Sequence, residues 1–288
     1  MTSARRQVRH WSDDLCEQRA DDLAIEEPLE VRVAWTDRGG RRHDQPVVVT
    51  MRTPGDDAAL AVGLLASERV LGSPTQVETV EGAGPTAGAG AGLRHAAMRV
   101  RLVAGVEPAL SGLDRRGFMT SSCGLCGRVS LETLTLAAPL PISAFGVVDP
   151  ARLGHWPEAL RGRQPTFGLT GGVHGAALFS PDGTLLDVAE DVGRHNALDK
   201  VLGRAFTGGR WPLHGEALLL SGRVSFDLVL KAAVAGIALV AAVGAPSSMA
   251  VDAAEVAGIT LVGFVRQRRA NVYTWPARVA RVRGAAPT

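Results

Sequence analysis

Residues 217–264, ALLLSGRVSFDLVLKAAVAGIALVAAVGAPSSMAVDAAEVAGITLVGF, decide the fold. Short apolar runs stand at 217–221, 238–243 and 259–264, and helically spaced stretches separate them. From Ser225 to about Ile237, the residues Phe226, Val229, Ala233 and Ile237 fall near one face. After the second run, Ser247 or Ser248 supplies an N-cap and Gly258 a stop. Strands that are apolar throughout need helices on both faces, and strand–helix–strand order with short loops suits parallel pairing. The expected fold class is α/β.

In such sheets ligands bind beyond the carboxyl ends of the strands. Those ends are Ser221-Gly222-Arg223, the stretch 244–248 (GAPSS) and the stretch 265–269 (VRQRR). The first two run into helix N-termini, where backbone N–H groups and the helix dipole favour an anion. The third adds Arg266, Arg268 and Arg269, and no acidic residue follows Glu255. Together they suit a phosphate-bearing ligand, although Gly/Ser loops also serve turn geometry alone. Neither G-x-x-x-x-G-K-[ST] nor G-x-G-x-x-G occurs, so neither a kinase nor a conventional dehydrogenase is expected.

Upstream, 187–200 (DVAEDVGRHNALDK) crosses from a strand into a helix whose apolar face includes Ala197, Leu198, Val201 and Leu202. Glu190, Asp191, Arg194 and His195 at that entrance read either as solvated capping or as a polar wall of the site. The turn 170–174 (TGGVH) carries a second histidine, His174. Residues 175–180 and 184–189 form a hairpin across Pro181-Asp182-Gly183. Strands are expected at 29–33, 47–52 and 97–103, and a helix over 56–71 with Leu60, Leu64, Leu65 and Leu71 on one face. The low-complexity stretch 81–92 reads as a mobile loop. The expected organisation is a flexible arm (1–25), an N-terminal part with a cysteine loop (26–136), a Pro-rich broken connector (137–165), an α/β part (166–280) and a tail (281–288).

Of the 288 residues, 46% are hydrophobic and 21% charged, which excludes disorder over most of the chain. A net charge of +2 gives no global reason to expect nucleic acid. Among 31 basic residues only Lys200 and Lys231 are lysines. Arginine suits bidentate binding of phosphate, and GC-rich coding bias yields the same excess. The longest apolar run, 232–245, is too short to span a bilayer, and the first 22 residues hold no apolar signal core. Three cysteines do not make a disulfide scaffold. A cytoplasmic protein without membrane or nucleic-acid partners is expected.

Cys123 and Cys126 form C-x-x-C, with Ser121-Ser122, Gly124 and Gly127 around them. Three chemistries fit: a metal half-site, a dithiol couple, or a nucleophilic thiolate that carries sulfur. Zinc needs about four ligands, and Cys16 is the only other cysteine. The order H-x-E before P-C-x-x-C of zinc deaminases is reversed here, since His214-Gly215-Glu216 lies downstream. No resident metal is expected. A thioredoxin-type pair would sit between an early strand and a helix. Small flanking residues and a following helix N-terminus, which lowers a thiol pKa, permit sulfur carriage without demanding it.

The stretches 26–30, 51–55, 121–127, 170–174, 190–200, 221–226, 244–248 and 262–273 together resemble the FdhD/NarQ formate dehydrogenase accessory sulfurtransferases, in the family's order and over about 26–276. The resemblance implies a cytidine deaminase-like three-layer core with a mixed, partly parallel sheet and a smaller N-terminal β-rich region. It implies sulfur carried as a persulfide from a cysteine desulfurase to the molybdenum of the bis(molybdopterin guanine dinucleotide) cofactor, before that cofactor enters formate dehydrogenase. Cys123 matches the persulfide cysteine and Cys126 its partner. Phe264, Val265, Arg266, Gln267, Arg268 and Arg269 match the cofactor segment, with Ser221, Gly222, Arg223, Ser247 and Ser248 as helper sites. A guanine nucleotide would mimic the cofactor, and a homodimer is implied. The alternative is a non-catalytic chaperone that only holds the cofactor.

Overall fold

A computed structural model describes residues 1–13, 15–83, 96–110 and 146–281. Where a loose arm was expected, β1 (Ser3–Ser12) and β2 (Leu15–Ala24) pair antiparallel along their whole length. Both faces of this hairpin are polar, so no apolar alternation signals it. It is held by the ladder, by the Arg5–Asp22 ion pair at 2.9 Å, and by the Thr166 hydroxyl donating to that of Thr2. The strands expected at 29–33 and 47–52 are longer, as β3 (Glu27–Thr36) and β4 (Arg42–Arg52), and turn at residues 37–41. Helix α1 (Asp57–Ser67) ends four residues short of the expected stretch, where Arg69 takes a left-handed conformation (φ 63°). β5 (Val77–Ala83) and β6 (Ala96–Leu102) complete a four-stranded sheet of order β4-β3-β6-β5, in which only β3 and β6 run parallel. Residues 81–83 of the expected loop therefore belong to a strand, and 84–92 lie outside the described residues.

The expected broken connector instead contributes helix α2 (Pro150–Arg161), and its last residue, Pro165, opens α3 (Pro165–Thr170). Prolines open both, at the position whose N–H has no helical partner in any case. Asp149 caps α2 by accepting from the Ala151 N–H at 2.8 Å. Then follow β7 (His174–Phe179), β8 (Leu185–Asp191), α4 (Arg194–Thr207), β9 (Ala217–Leu220), α5 (Phe226–Val234), β10 (Leu239–Ala242), α6 (Ser248–Val256), β11 (Thr260–Arg266) and β12 (Arg269–Val272). The sheet order is β12-β11-β10-β9-β7-β8, with β9, β10 and β11 parallel and the remaining pairs antiparallel.

The period of two along β9 sorts its side chains between two cores. Leu218 and Leu220 pack with the buried faces of α4, α5 and α6. Ala217 and Leu219 pack with Leu153, Trp156 and Leu160 of α2. The result is a mixed α/β fold whose larger sheet is covered on both faces. Among the described residues no helix is long and apolar enough to cross a membrane.

Helix α1 lies between the four-stranded sheet and α4, and every residue from Leu60 to Ser67 is buried. Contact with α4 is backbone to backbone. A Cβ at Gly63 would stand 1.8 Å from the Asp199 carbonyl oxygen, and one at Gly203 would stand 1.8 Å from that of Ala59. Beside this crossing, Lys231 donates to both Asp199 carboxylate oxygens at 2.9 and 2.8 Å and to the Ser67 hydroxyl at 2.8 Å. Burial pushes the Asp199 carboxyl above its usual range, and Lys231 opposes that shift.

Candidate strand-end site

At the carboxyl edge of the larger sheet the chain forms a half-open cavity of about 620 Å³. Ser221 and Gly222 after β9, Val243 after β10 and Arg266 at the end of β11 form its floor. Because β7 is antiparallel to β9, its first residue, His174, reaches the same edge. Arg161 of α2, Gln164, and Phe167 of α3 form the opposite wall, and Gly171-Gly172 close it.

Thus Ser221, Gly222 and Arg266, expected from sequence, meet at one cavity. The Ser221 hydroxyl accepts from the Gly175 N–H at 2.8 Å. One Arg266 nitrogen donates to the carbonyls of Val243 and Val265 at 2.9 and 2.8 Å, which holds the guanidinium at the rim. Arg223, Phe264, Val265, Gln267, Arg268, Arg269, Ser247 and Ser248 lie outside the lining. Val265 is buried in the core, while Phe264 is exposed at a left-handed position (φ 54°) beside the irregularity between β11 and β12. Gln267 bonds to Glu158 at 3.4 Å, Arg268 is exposed on the turn into β12, and Arg269 is exposed as the first residue of that strand. Ser247 spends its hydroxyl on the Ala250 N–H at 3.2 Å as the cap of α6, while Ser248 is exposed.

The glycines of the first two strand ends serve close approach. A Cβ at Gly244 would meet the Gly222 backbone at 2.7 Å, and the Gly244 N–H donates to the Gly222 carbonyl at 3.0 Å. The Gly244 donor is therefore spent within the fold. Gly222 also faces the His174 ring, 3.2 Å from where a Cβ would stand.

The polar stretch 187–200 divides. Glu190 accepts from the N–H groups of Thr166 and Phe167 at 2.9 and 2.8 Å, so it caps α3. Asp191 and Lys200 form a buried ion pair at 2.8 Å. His195 is mostly buried and its Nε2 has no partner among the described residues. Burial, then the nearby charges of Lys231, Arg194 and His174, push its pKa down to about 3. Burial and Arg194 push that of His174 down, against Asp191, so both imidazoles are neutral at neutral pH.

Sequence reasoning missed Arg161 and Gln164, because they fall in the stretch expected to be a connector, and Phe167, which opens the expected α/β part just after it. Arg161 lies over the Phe167 ring, 3.8 Å from its centroid. Their only local signal is the pair of prolines that start α2 and α3. Cys123 and Cys126 lie outside the described residues. Among those that are described, no group of three or more His, Cys, Asp or Glu side chains could hold a metal ion.

The family model of the FdhD/NarQ family matches residues 24–280. A relative from Streptomyces avermitilis named sulfur carrier protein FdhD is 44% identical over 278 residues, 96% of this chain and 95% of that protein. One of the same name from Mycobacterium tuberculosis is 44% identical over 280 residues, 96% of this chain and 98% of its own length. The crystal structure of a candidate formate dehydrogenase accessory protein from Desulfotalea psychrophila shares the fold, with TM-score 0.72 at 23% identity over 97% of this chain and all of that one. A match that spans nearly the whole chain, in both family model and relatives, makes this protein a member of the FdhD/NarQ family.

Proposed function

We propose that this protein carries sulfur for the maturation of a molybdenum enzyme. The Cys123 thiolate attacks the terminal sulfur of a desulfurase persulfide; the desulfurase cysteine leaves as thiolate, and Cys123 becomes the persulfide. That sulfur is destined for the molybdenum of a bis(molybdopterin guanine dinucleotide) substrate held at the strand-end cavity, and the finished cofactor passes to formate dehydrogenase. Cys126 partners Cys123, and the protein works in the cytoplasm as a homodimer.

The observation that carries this reading is the near full-length identity to relatives named sulfur carriers, joined to a cavity where Arg266, Ser221 and Gly222 converge. A nucleotide-bearing substrate needs anion-compatible donors at a sheet edge, and these residues supply them.

Mass spectrometry of the protein after incubation with a cysteine desulfurase and cysteine tests it. The expected result is one added sulfur on Cys123, absent in Cys123→Ala. No added sulfur, with guanine nucleotide still bound, would favour the chaperone that only holds the cofactor.

A further inference from the structure

The β1–β2 ribbon is left unfinished by the fold. Its strands form a two-stranded sheet of their own. The base of the ribbon is held beside α3, where Thr166 donates to Thr2 and Gly172 lies against Ala24. Further out, every residue from Leu15 to Ala20 is exposed, with Leu15 at 75% and Trp11 on the facing strand at 68%. An isolated pair of strands is marginal in water, and a third strand or a packed face is needed to stabilise it. A two-stranded sheet also has two outer edges, whose backbone groups a further strand can pair.

The two edges differ in charge. β1 carries Arg5, Arg6, Arg9 and His10 and no acidic residue, so two copies of it laid side by side repel. β2 instead alternates in sign along one face, through Glu17, Arg19 and Asp21. Within the ribbon Asp21 stands opposite Arg6, Asp22 holds Arg5 at 2.9 Å, and Arg19 stands opposite the uncharged Val8. Glu17 and Arg19 enter no ion pair among the described residues. Antiparallel pairing of β2 with β2 of a second copy, about a twofold axis at Gln18, sets Glu17 opposite Arg19 of the second copy. The symmetry repeats that pair with the roles exchanged. Cys16 then stands opposite Ala20 of the second copy, so the exposed stretch of the strand is covered.

We infer that two copies of this chain join through β2, antiparallel about a twofold axis at Gln18, so that two ribbons make one four-stranded sheet. The alternation of sign selects a second copy as the occupant, because a strand of one-sided charge would set its own sign against either Glu17 or Arg19. The inference rests on the homodimeric form proposed above and adds the strand that builds it.

Sedimentation equilibrium of the full chain tests the pairing. The unaltered chain should sediment as a dimer. Arg19→Glu and Glu17→Arg each set two like pairs across the axis, and each should weaken dimerisation by about tenfold or more. The double reversal Glu17→Arg with Arg19→Glu should restore it. Gln18→Cys, combined with Cys16→Ser, should be joined to its own copy by a short bis-maleimide, with the link mapped to residue 18 by peptide mass spectrometry. That arm still decides should a charge variant lose the ribbon. A monomeric chain, a dimer unmoved by either single reversal, a double reversal that stays weak, or no link at residue 18 would overturn the inference. Sulfur loading of Cys123 is a separate readout. A monomer that gains sulfur would overturn the inference and leave sulfur carriage standing, whereas a dimer paired in this way that gains none would keep the inference and refute sulfur carriage.

Discussion

Lys200 Nζ lies 2.8 Å from Asp191 Oδ2, with both side chains buried. Asp191 also accepts from the N–H groups of Thr53 and Gly193, while Lys200 donates to the carbonyls of Thr53 and Glu190. The pair thereby clamps the loop after β4 onto the entrance of α4. Its electrostatic gain is offset by desolvation, so its importance lies in what happens when one partner is lost. Lys200→Met should destabilise the fold by about 3–5 kcal/mol, because Asp191 stays buried without its cation. Urea denaturation measures this, and the added change Asp191→Asn should restore part of the loss.

Glycine is required where α1 meets α4. Gly63→Ala or Gly203→Ala pushes a methyl group into a carbonyl oxygen 1.8 Å away, so the helices must separate. Overpacking of this kind destabilises by about 1–3 kcal/mol, and a rigid backbone obstacle belongs at the upper end. A thermal melt unchanged by either substitution would show that the helices do not touch there.

His195 sets a sign for acid stability. Its folded pKa of about 3 lies below the ordinary histidine value of 6.5, so in that window the unfolded chain binds the extra proton. Stability contributed by the neutral imidazole is full above pH 6.5 and is lost as pH falls towards 3, by about 1.4 kcal/mol per pH unit for one proton. Chemical denaturation at pH 7 and 5 should show the loss, and His195→Asn should make the slope shallower. An equal slope in both proteins would count against a neutral, buried His195.

The arginines of the stretch 264–269 are not equivalent. Arg266 lines the cavity, whereas Arg268 stands on the exposed turn into β12 and Arg269 is the exposed first residue of that strand. Arg266→Ala should weaken GDP binding by about tenfold, the worth of one charge-assisted hydrogen bond, and Arg268→Ala by less. Equal losses measured by titration would mean that the turn folds over the ligand.

Much of the site edge was legible before any coordinates. The runs at 217–221, 238–243 and 259–264 became the parallel β9, β10 and β11, and the hairpin across Gly183 became β7 and β8. Apolar periodicity is a local property, and a parallel sheet places its strand ends together by topology alone. The β1–β2 hairpin was not legible, because its stability comes from cross-strand pairs on polar faces. Helix α2 and the proline that opens α3 were read as a break because prolines that start helices look like prolines that stop them.

By itself, then, the sequence determined the α/β class, the sheet edge where the strand-end loops and arginines gather, and the motifs of the family. The tertiary structure decided which residues turn toward that edge. It buried the chain's two lysines in ion pairs and left the surface cations to arginine. It brought Arg161 and Gln164 over Ser221 and tied Lys200 to Thr53 across 147 residues. The physical reason is range: periodicity and capping act within a few residues, whereas burial, ion pairing and cavity formation depend on partners that only the packed chain brings together.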